Sequence, residues 1–318
     1  VIAVLAGGVG AAKFLRGLIN AQLGEEIVAI VNTGDDWWRY GLRICPDLDT
    51  VTYTLADMVN PATGWGLRDE TFAARTTLEL LGDDPWFTLG DRDLGLHMLR
   101  TQLLRSGASL TTVTQQIVER LGIDATLLPM TDDEVATKVT VQLPTDDTGA
   151  DEIVELDFQE YFVRFSHQPR VLRVRYAGID RAQPTQAVIQ TLADARLIII
   201  APSNPILSIG PILALHGIQE QLSQRARAGD VIAVSPIIAG EAVKGPLADL
   251  LESLMHQHDA RTVANLYLGV ASELILDTAD TDLAESIQAL GLTVRTTDTL
   301  MTDLAAAVDL ATFVTASR

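Results

Sequence analysis

Asp35, Asp36, Asp47 and Asp49 stand within one short stretch, VNTGDDWWRYGLRICPDLDT, as an adjacent pair and an alternating pair. Paired hard carboxylates suit magnesium, which takes one or two carboxylates and completes its shell with water and substrate phosphates. A solvated acidic loop would show the same spacing, so spacing alone leaves both readings open. The five histidines are scattered and Cys45 is the only cysteine, so nothing supports a zinc set. All four tryptophans, Trp37, Trp38, Trp65 and Trp86, fall in the same region of the chain. They either pack the loops together or offer faces to a flat ring.

A second group lies in AGGVGAAKFLRGL. Gly8 and Gly10 fit the opening of a dinucleotide fingerprint, but Lys13 stands where its third glycine belongs. The next strand ends in Asn32 rather than an acid, which counts against a nicotinamide dinucleotide, and the P-loop pattern is absent. The backbone N–H groups of Gly7, Gly8 and Gly10 can still meet an anion at a helix start, with Lys13 adding charge. A plain tight turn is the alternative. Ser203, Asn204 and Ser208 mark a later helix entrance, either a second phosphate contact or a cap. Lys244 in SPIIAGEAVKGP is a further possible cation. In LGDRDLGLHMLR, Arg92 and Arg100 read as exposed helix charges with carboxylate partners, and His97 as a satisfied histidine.

These groups need elements to position them. VIAVLA is apolar throughout, as expected of a parallel strand buried on both faces. A glycine turn, a helix with apolar residues at helical spacing and the strand EIVAIVN follow, which is one right-handed parallel unit. The pattern returns in ARLIIIAP, DVIAVSP, ELILD and LTVRTTD with helices between them. In open sheets of this kind, ligands bind beyond the carboxyl ends of the strands. Those ends are Gly7–Lys13, Asn32–Asp36, Pro202–Ser208, Ser235–Gly240 and Asp277. The expected fold is α/β: a Rossmann-like, doubly wound, mostly parallel sheet with an inserted α+β cap. Residues 1–60 and 181–318 form the core and 61–180 the cap, with PTDDTGADE as a hairpin or loop and Ser109 or Thr111 capping the helix LTTVTQQIVERLG.

Composition limits the partners. The 318 residues carry a formal net charge of -19, and such a field repels nucleic acid and anionic lipid. No apolar run is long enough to span a bilayer, the first residues read as a strand rather than a leader, and one cysteine permits no internal disulfide. The expectation is a cytoplasmic protein acting on small molecules.

Taken together, AGGVGAAKFLRGL, VNTGDDWWRYGLRICPDLDT, WFTLGDRDLGLHMLRTQ, APSNPILSIGPIL and DTLMTD resemble the 2-phospho-L-lactate transferase family of coenzyme F-420 biosynthesis. Matching segments run in the family's order over nearly the whole chain, and the GDDWWRYGLRICPDLDT variant looks like bacterial members. The resemblance implies joining a guanosine-diphosphate-activated three-carbon acid to the ribityl hydroxyl of the deazaflavin Fo, with release of GMP, a requirement for magnesium and a homodimer. It makes Asp49 and Arg92 the expected Fo contacts and catalytic pair, with Trp38 and Asn32 beside them on the substrate side. It makes Gly7, Gly8, Gly10, Lys13, Ser203 and Asn204 the nucleotide contacts. Asp36 and Asp49 are the first choices for magnesium, followed by Asp35 and Asp47. The rival is a nucleotide-sugar-binding regulator of the same superfamily, which lacks a clear GDRD and differs at PDLDT.

Overall fold

The structure is a computed structural model that describes residues 1–143, 151–243, 245 and 247–316. Lys244 and most of PTDDTGADE lie outside the described residues. The chain opens with β1 (Ile2–Ala6), α1 (Gly8–Asn20) and β2 (Ile27–Val31). A small antiparallel ribbon, β3 (Trp37–Arg39) and β4 (Leu42–Ile44), leads into α2 (Pro46–Leu55). Three helices follow, α3 (Ala73–Leu80), α4 (Asp91–Arg105) and α5 (Leu110–Arg120), and then β5 (Thr126–Pro129). Strands β6 (Ala136–Leu143), β7 (Glu152–Asp157) and β8 (Arg170–Ala177) form a separate antiparallel sheet in the order β7-β6-β8. A π-helical turn, Glu160–Arg164, joins β7 to β8.

The second half alternates α6 (Gln186–Asp194), β9 (Leu197–Ile200), α7 (Gly210–Ala214), α8 (Ile218–Arg227) and β10 (Val231–Val234). The two-residue ribbon β11 (Ile237–Ile238) and β12 (Glu241–Ala242) precedes α9 (Leu247–Met255) and α10 (Ala260–Tyr267). The chain closes with β13 (Glu273–Asp277), α11 (Ala284–Gln288), β14 (Thr293–Thr297) and α12 (Leu304–Thr315).

Seven strands make one sheet in the order β14-β13-β10-β9-β1-β2-β5, with every pairing parallel. This is the doubly wound Rossmann-like order, and its direction reverses between β1 and β9. Successive residues of β1 face opposite sides of the sheet. Ala3 and Leu5 join one apolar core with Ile198, Ile200 and the helices α6, α8 and α10. Ile2 and Val4 join a second core with Ile199, α1 and α12. Burial on both faces explains the unbroken apolar strands. β5 lies within the span expected to be the cap, yet it is the sheet's edge strand beside β2. Its sequence, TLLP, sets only two aliphatic residues between a threonine and a proline, unlike the apolar runs that marked the other strands. The cap sheet has its own small core, in which Val139, Val141 and Tyr161 meet Leu207 and Leu250 of the main body. Ser109 caps α5, as expected, by accepting from the Thr112 backbone N–H.

Candidate functional site

The carboxyl edge of the sheet opens into a cavity of about 720 Å³ at the point where strand order reverses. Residues just beyond β1, β9, β10 and β14 all reach it: Gly7, Pro202, Ser235 and Thr299. The glycine turn is built for close approach. A Cβ on Gly10 would collide with the Pro202 carbonyl oxygen, and one on Gly7 would lie 2.6 Å from both Asp47 Oδ2 and Ser208 Cβ. Gly8 has a φ of +70°, a left-handed conformation that costs glycine little. Lys13, one turn into α1, is exposed and donates to the Met301 carbonyl oxygen at 3.0 Å. It is the only cation lining the cavity among the described residues, against four carboxylates, Asp35, Asp47, Asp49 and Asp93.

Ser203 and Asn204 stand on the cavity wall with local roles as well. Ser203 Oγ donates to the Gly7 carbonyl oxygen at 2.9 Å and so ties β9 to the glycine turn. Asn204 Oδ1 accepts from the Ile206 and Leu207 backbone N–H groups, each at 2.9 Å. Asn204 thus caps a turn ahead of α7 and not the helix, whose N-cap Ile209 makes no side-chain cap hydrogen bond, and both side chains border the cavity. Asp277 points elsewhere. It caps the turn after β13 and accepts from Thr299 and Ala279.

Three of the four aspartates of the opening stretch line the cavity, and each has a different setting. Pro46 at the first position of α2 fixes φ for a helix start, and Asp47 and Asp49 occupy the first turn, where the helix end favours negative charge. Both are buried. Asp47 accepts from Asn32 Nδ2 at 2.9 Å and from the Gly8 backbone N–H, so it lies against the glycine turn. Burial pushes its pKa up to about 6 against those two donors. Asp35 is pushed well up, first by burial and then by the nearby Asp47 charge. Its Oδ1 is buried with no partner. Asp49 is held by Arg100, whose Nη1 donates to Oδ2 at 3.2 Å while Nη2 meets Oδ1. Asp36 is off the cavity wall and faces Arg43 Nη2 at 3.5 Å. Burial still raises its pKa to about 7, because Arg43, the Cys45 thiol and Arg100 offset only part of the desolvation.

Asn32 likewise works from behind the wall, holding Asp47 through its amide and accepting from the Gly34 N–H at 2.8 Å. Arg92 is exposed at the start of α4 and donates to the Arg68 carbonyl oxygen at 2.5 Å, outside the cavity wall. GDRD is largely a capping device. Asp91 accepts from the Ala73 and Ala74 N–H groups and caps α3, while Glu70 accepts from the Arg92 and Asp93 N–H groups and caps α4. Arg100 is not an exposed charge. It is 3% exposed, on the same helix face as Asp93 and His97, because that face turns inward against α2.

The tryptophans divide. Trp37 and Trp86 each meet Phe87 edge-to-face and one another at a tilt, with centroid distances of 5.0–6.0 Å, and pin the loops together. Trp38 is outside the cavity, with its Nε1 donating to Glu134 at 3.0 Å and the Arg43 guanidinium 5.7 Å from its ring. Trp65 alone among them lines the cavity, at the tip of a loop closed by Asn60 N–H to the Gly66 carbonyl at 2.9 Å. Tyr53, which the sequence reading did not single out, and Asp93 and His97, which it took as ordinary helix residues, are wall residues. The signal was present: Asp49 and Tyr53 are four apart on α2, and Asp93, His97 and Arg100 follow helical spacing on α4.

A Rossmann-like sheet with an acid-lined cavity at its carboxyl edge and a glycine turn at a helix start defines a small-molecule-binding architecture of the doubly wound class. The profile of 2-phospho-L-lactate transferase CofD matches residues 2–306. Phosphoenolpyruvate transferase of Streptomyces coelicolor is 40% identical over 313 residues, covering 98% of this chain and 95% of its own. That of Mycolicibacterium smegmatis is 39% identical over 312 residues, covering 95% and 94%. A solved protein of the upf0052 family from Bacillus halodurans shares the fold, with a TM-score of 0.60 at 16% identity over 98% of this chain and 97% of its own. The chain belongs to the 2-phospho-L-lactate transferase family. Among the described residues, no helix is long and apolar enough to cross a membrane.

Proposed function

We propose that this protein transfers the phosphorylated three-carbon acid of a guanosine-diphosphate-activated donor to the ribityl hydroxyl of Fo, releasing GMP, in coenzyme F-420 biosynthesis. The name shared by its relatives supports phosphoenolpyruvate as the acid. The observation that carries the reading is one cavity in which a glycine turn with Lys13 faces three buried aspartates, with Trp65 at the same wall. Gly7, Gly8, Gly10 and Lys13 take the donor phosphates, with Ser203 and Asn204 beside them. The acceptor hydroxyl forms a new O–P bond at the phosphorus bearing the acid, and the P–O bond to GMP breaks. Asp49, oriented by Arg100, accepts the hydroxyl proton. Such transfer depends on positioning and charge neutralisation rather than on a protein nucleophile.

The residues fit a divalent cation in one arrangement. Asp35 and Asp47 repel one another at the cavity wall, and Asp35 Oδ1 is unpartnered. Asp36 and Asp49 each already face a guanidinium. No group of three His, Cys, Asp or Glu side chains able to hold a metal occurs among the described residues. The site therefore fits magnesium held by one or two carboxylates together with donor phosphates, and Asp35 and Asp47 are the residues that would hold it. When bound, the ion supplies charge neutralisation for the phosphates. The homodimer rests on the family resemblance, and sedimentation tests it.

Binding measurements separate this reading from its rivals. Saturable binding of guanosine diphosphate and Fo supports the transferase. Binding of a uridine sugar or a nicotinamide dinucleotide, with none of guanosine nucleotide or Fo, overturns it.

A further inference from the structure

Tyr53, Asp93, His97, Arg100 and Asp49 stand in a row of neighbouring, largely buried polar side chains between α2 and α4. The Tyr53 hydroxyl donates to Asp93 Oδ1. His97 Nε2 lies 3.3 Å from Asp93 Oδ2, within ion-pair range, but makes no hydrogen bond. His97 Nδ1 lies 3.3 Å from Arg100 Nη1 and 3.8 Å from Asp49 Oδ2. Arg100 then grips both oxygens of Asp49. Tyr53, His97 and Arg100 are each no more than 3% exposed, and Tyr53, Asp93 and His97 border the cavity.

Arg100 Nη1 carries two hydrogens and has three neighbours in reach, the Arg43 carbonyl oxygen at 3.3 Å, Asp49 Oδ2 at 3.2 Å and His97 Nδ1 at 3.3 Å. In the tautomer with Nδ1 unprotonated, His97 accepts from Arg100 and directs its ring proton at Asp93. Asp93 accepts from Tyr53 on one oxygen and faces His97 across the other, and these neighbours offset burial so fully that its pKa is lowered from the ordinary value. Polar side chains held this close inside the protein restrict one another's orientation.

We propose that Tyr53 and His97 are positioning residues for the transfer step: through Asp93 and Arg100 they hold the Asp49 carboxylate in the orientation that receives the acceptor's hydroxyl. The inference rests on the transferase reading given above. Side-chain precision of this order matters because a small misplacement of a reacting group costs large factors in rate. The glycine turn proposed for the donor phosphates is held by Asp47, Ser203 and Ser208 rather than by Tyr53 or His97, so the effect falls on turnover and not on donor binding.

Steady-state kinetics of Tyr53→Phe, His97→Leu and His97→Asn, with melting temperatures measured alongside, test this. Tyr53→Phe and His97→Leu should each lower kcat at least tenfold while the KM for the donor stays within twofold. His97→Asn places an acceptor near the Nδ1 position and should recover part of the loss. Wild-type-like kcat in both Tyr53→Phe and His97→Leu overturns the proposal. So does a loss of activity that follows the melting temperature and is not recovered in His97→Asn. Absence of product with the wild-type protein would instead overturn the transferase reading itself.

Discussion

Asp47 Oδ2 lies so close to the glycine turn that a Cβ on Gly7 would stand 2.6 Å from it. The carboxylate occupies the end of α1, where the Gly8 N–H and Asn32 Nδ2 both donate to it. The turn thus joins the proposed phosphate cradle to the acid cluster. Gly7→Ala should disturb both at once, weakening guanosine diphosphate binding by more than tenfold in a calorimetric titration. Unchanged affinity would show that the turn and the acid move independently.

Lys13 donates to a carbonyl oxygen and not to a carboxylate, which leaves its charge for an anionic ligand. Lys13→Ala should weaken guanosine diphosphate binding about tenfold, or about 1.4 kcal/mol, with Fo binding unaltered. An equal loss for both ligands would place Lys13 outside a dedicated phosphate site.

Trp65 and Trp38 separate the flat-ring reading from the packing reading. Trp65 lines the cavity and is 50% exposed, whereas Trp38 meets Glu134 and Arg43 outside it. Trp65→Ala should weaken Fo binding several-fold by fluorescence titration, and Trp38→Ala should leave it near the wild-type value. The reverse order would return the ring contact to Trp38.

The parallel sheet was legible because buried strands such as IAVLA and LIII carry no polar residue, and the glycine turn because the chain passes straight from strand to helix. The acid cluster was legible as a group but not as separate roles. Which aspartate meets Arg43, Arg100 or Asn32 depends on contacts across the fold that spacing does not encode. Arg100 shows this most clearly. Its sequence neighbours suggested an exposed helix, but α4 turns this face onto α2, and the side chain is buried. Arg92 shows the opposite case: the motif is present, yet its acids cap helices and the arginine faces out.

Asp36 gives the protein a pH dependence. Burial raises its pKa from 3.8 to about 7. The folded state therefore holds a proton that the unfolded chain releases near pH 4, and stability falls as pH rises between about 4 and 7. A shift of this size corresponds to something on the order of 4 kcal/mol. Without magnesium, Asp36→Asn should raise the melting temperature at pH 8 relative to wild type and change it little at pH 4. A variant as pH-dependent as the wild type over that range would assign the dependence to other groups.

Mass spectrometry of the product made from Fo, magnesium and guanosine-diphosphate-activated phosphoenolpyruvate tests the central claim most directly. The expected result is Fo extended by the phosphorylated acid through a phosphodiester, with one GMP released per product, abolished by a chelator and reduced more than tenfold in Asp47→Asn. Fo and donor both recovered unchanged under saturating conditions would contradict it.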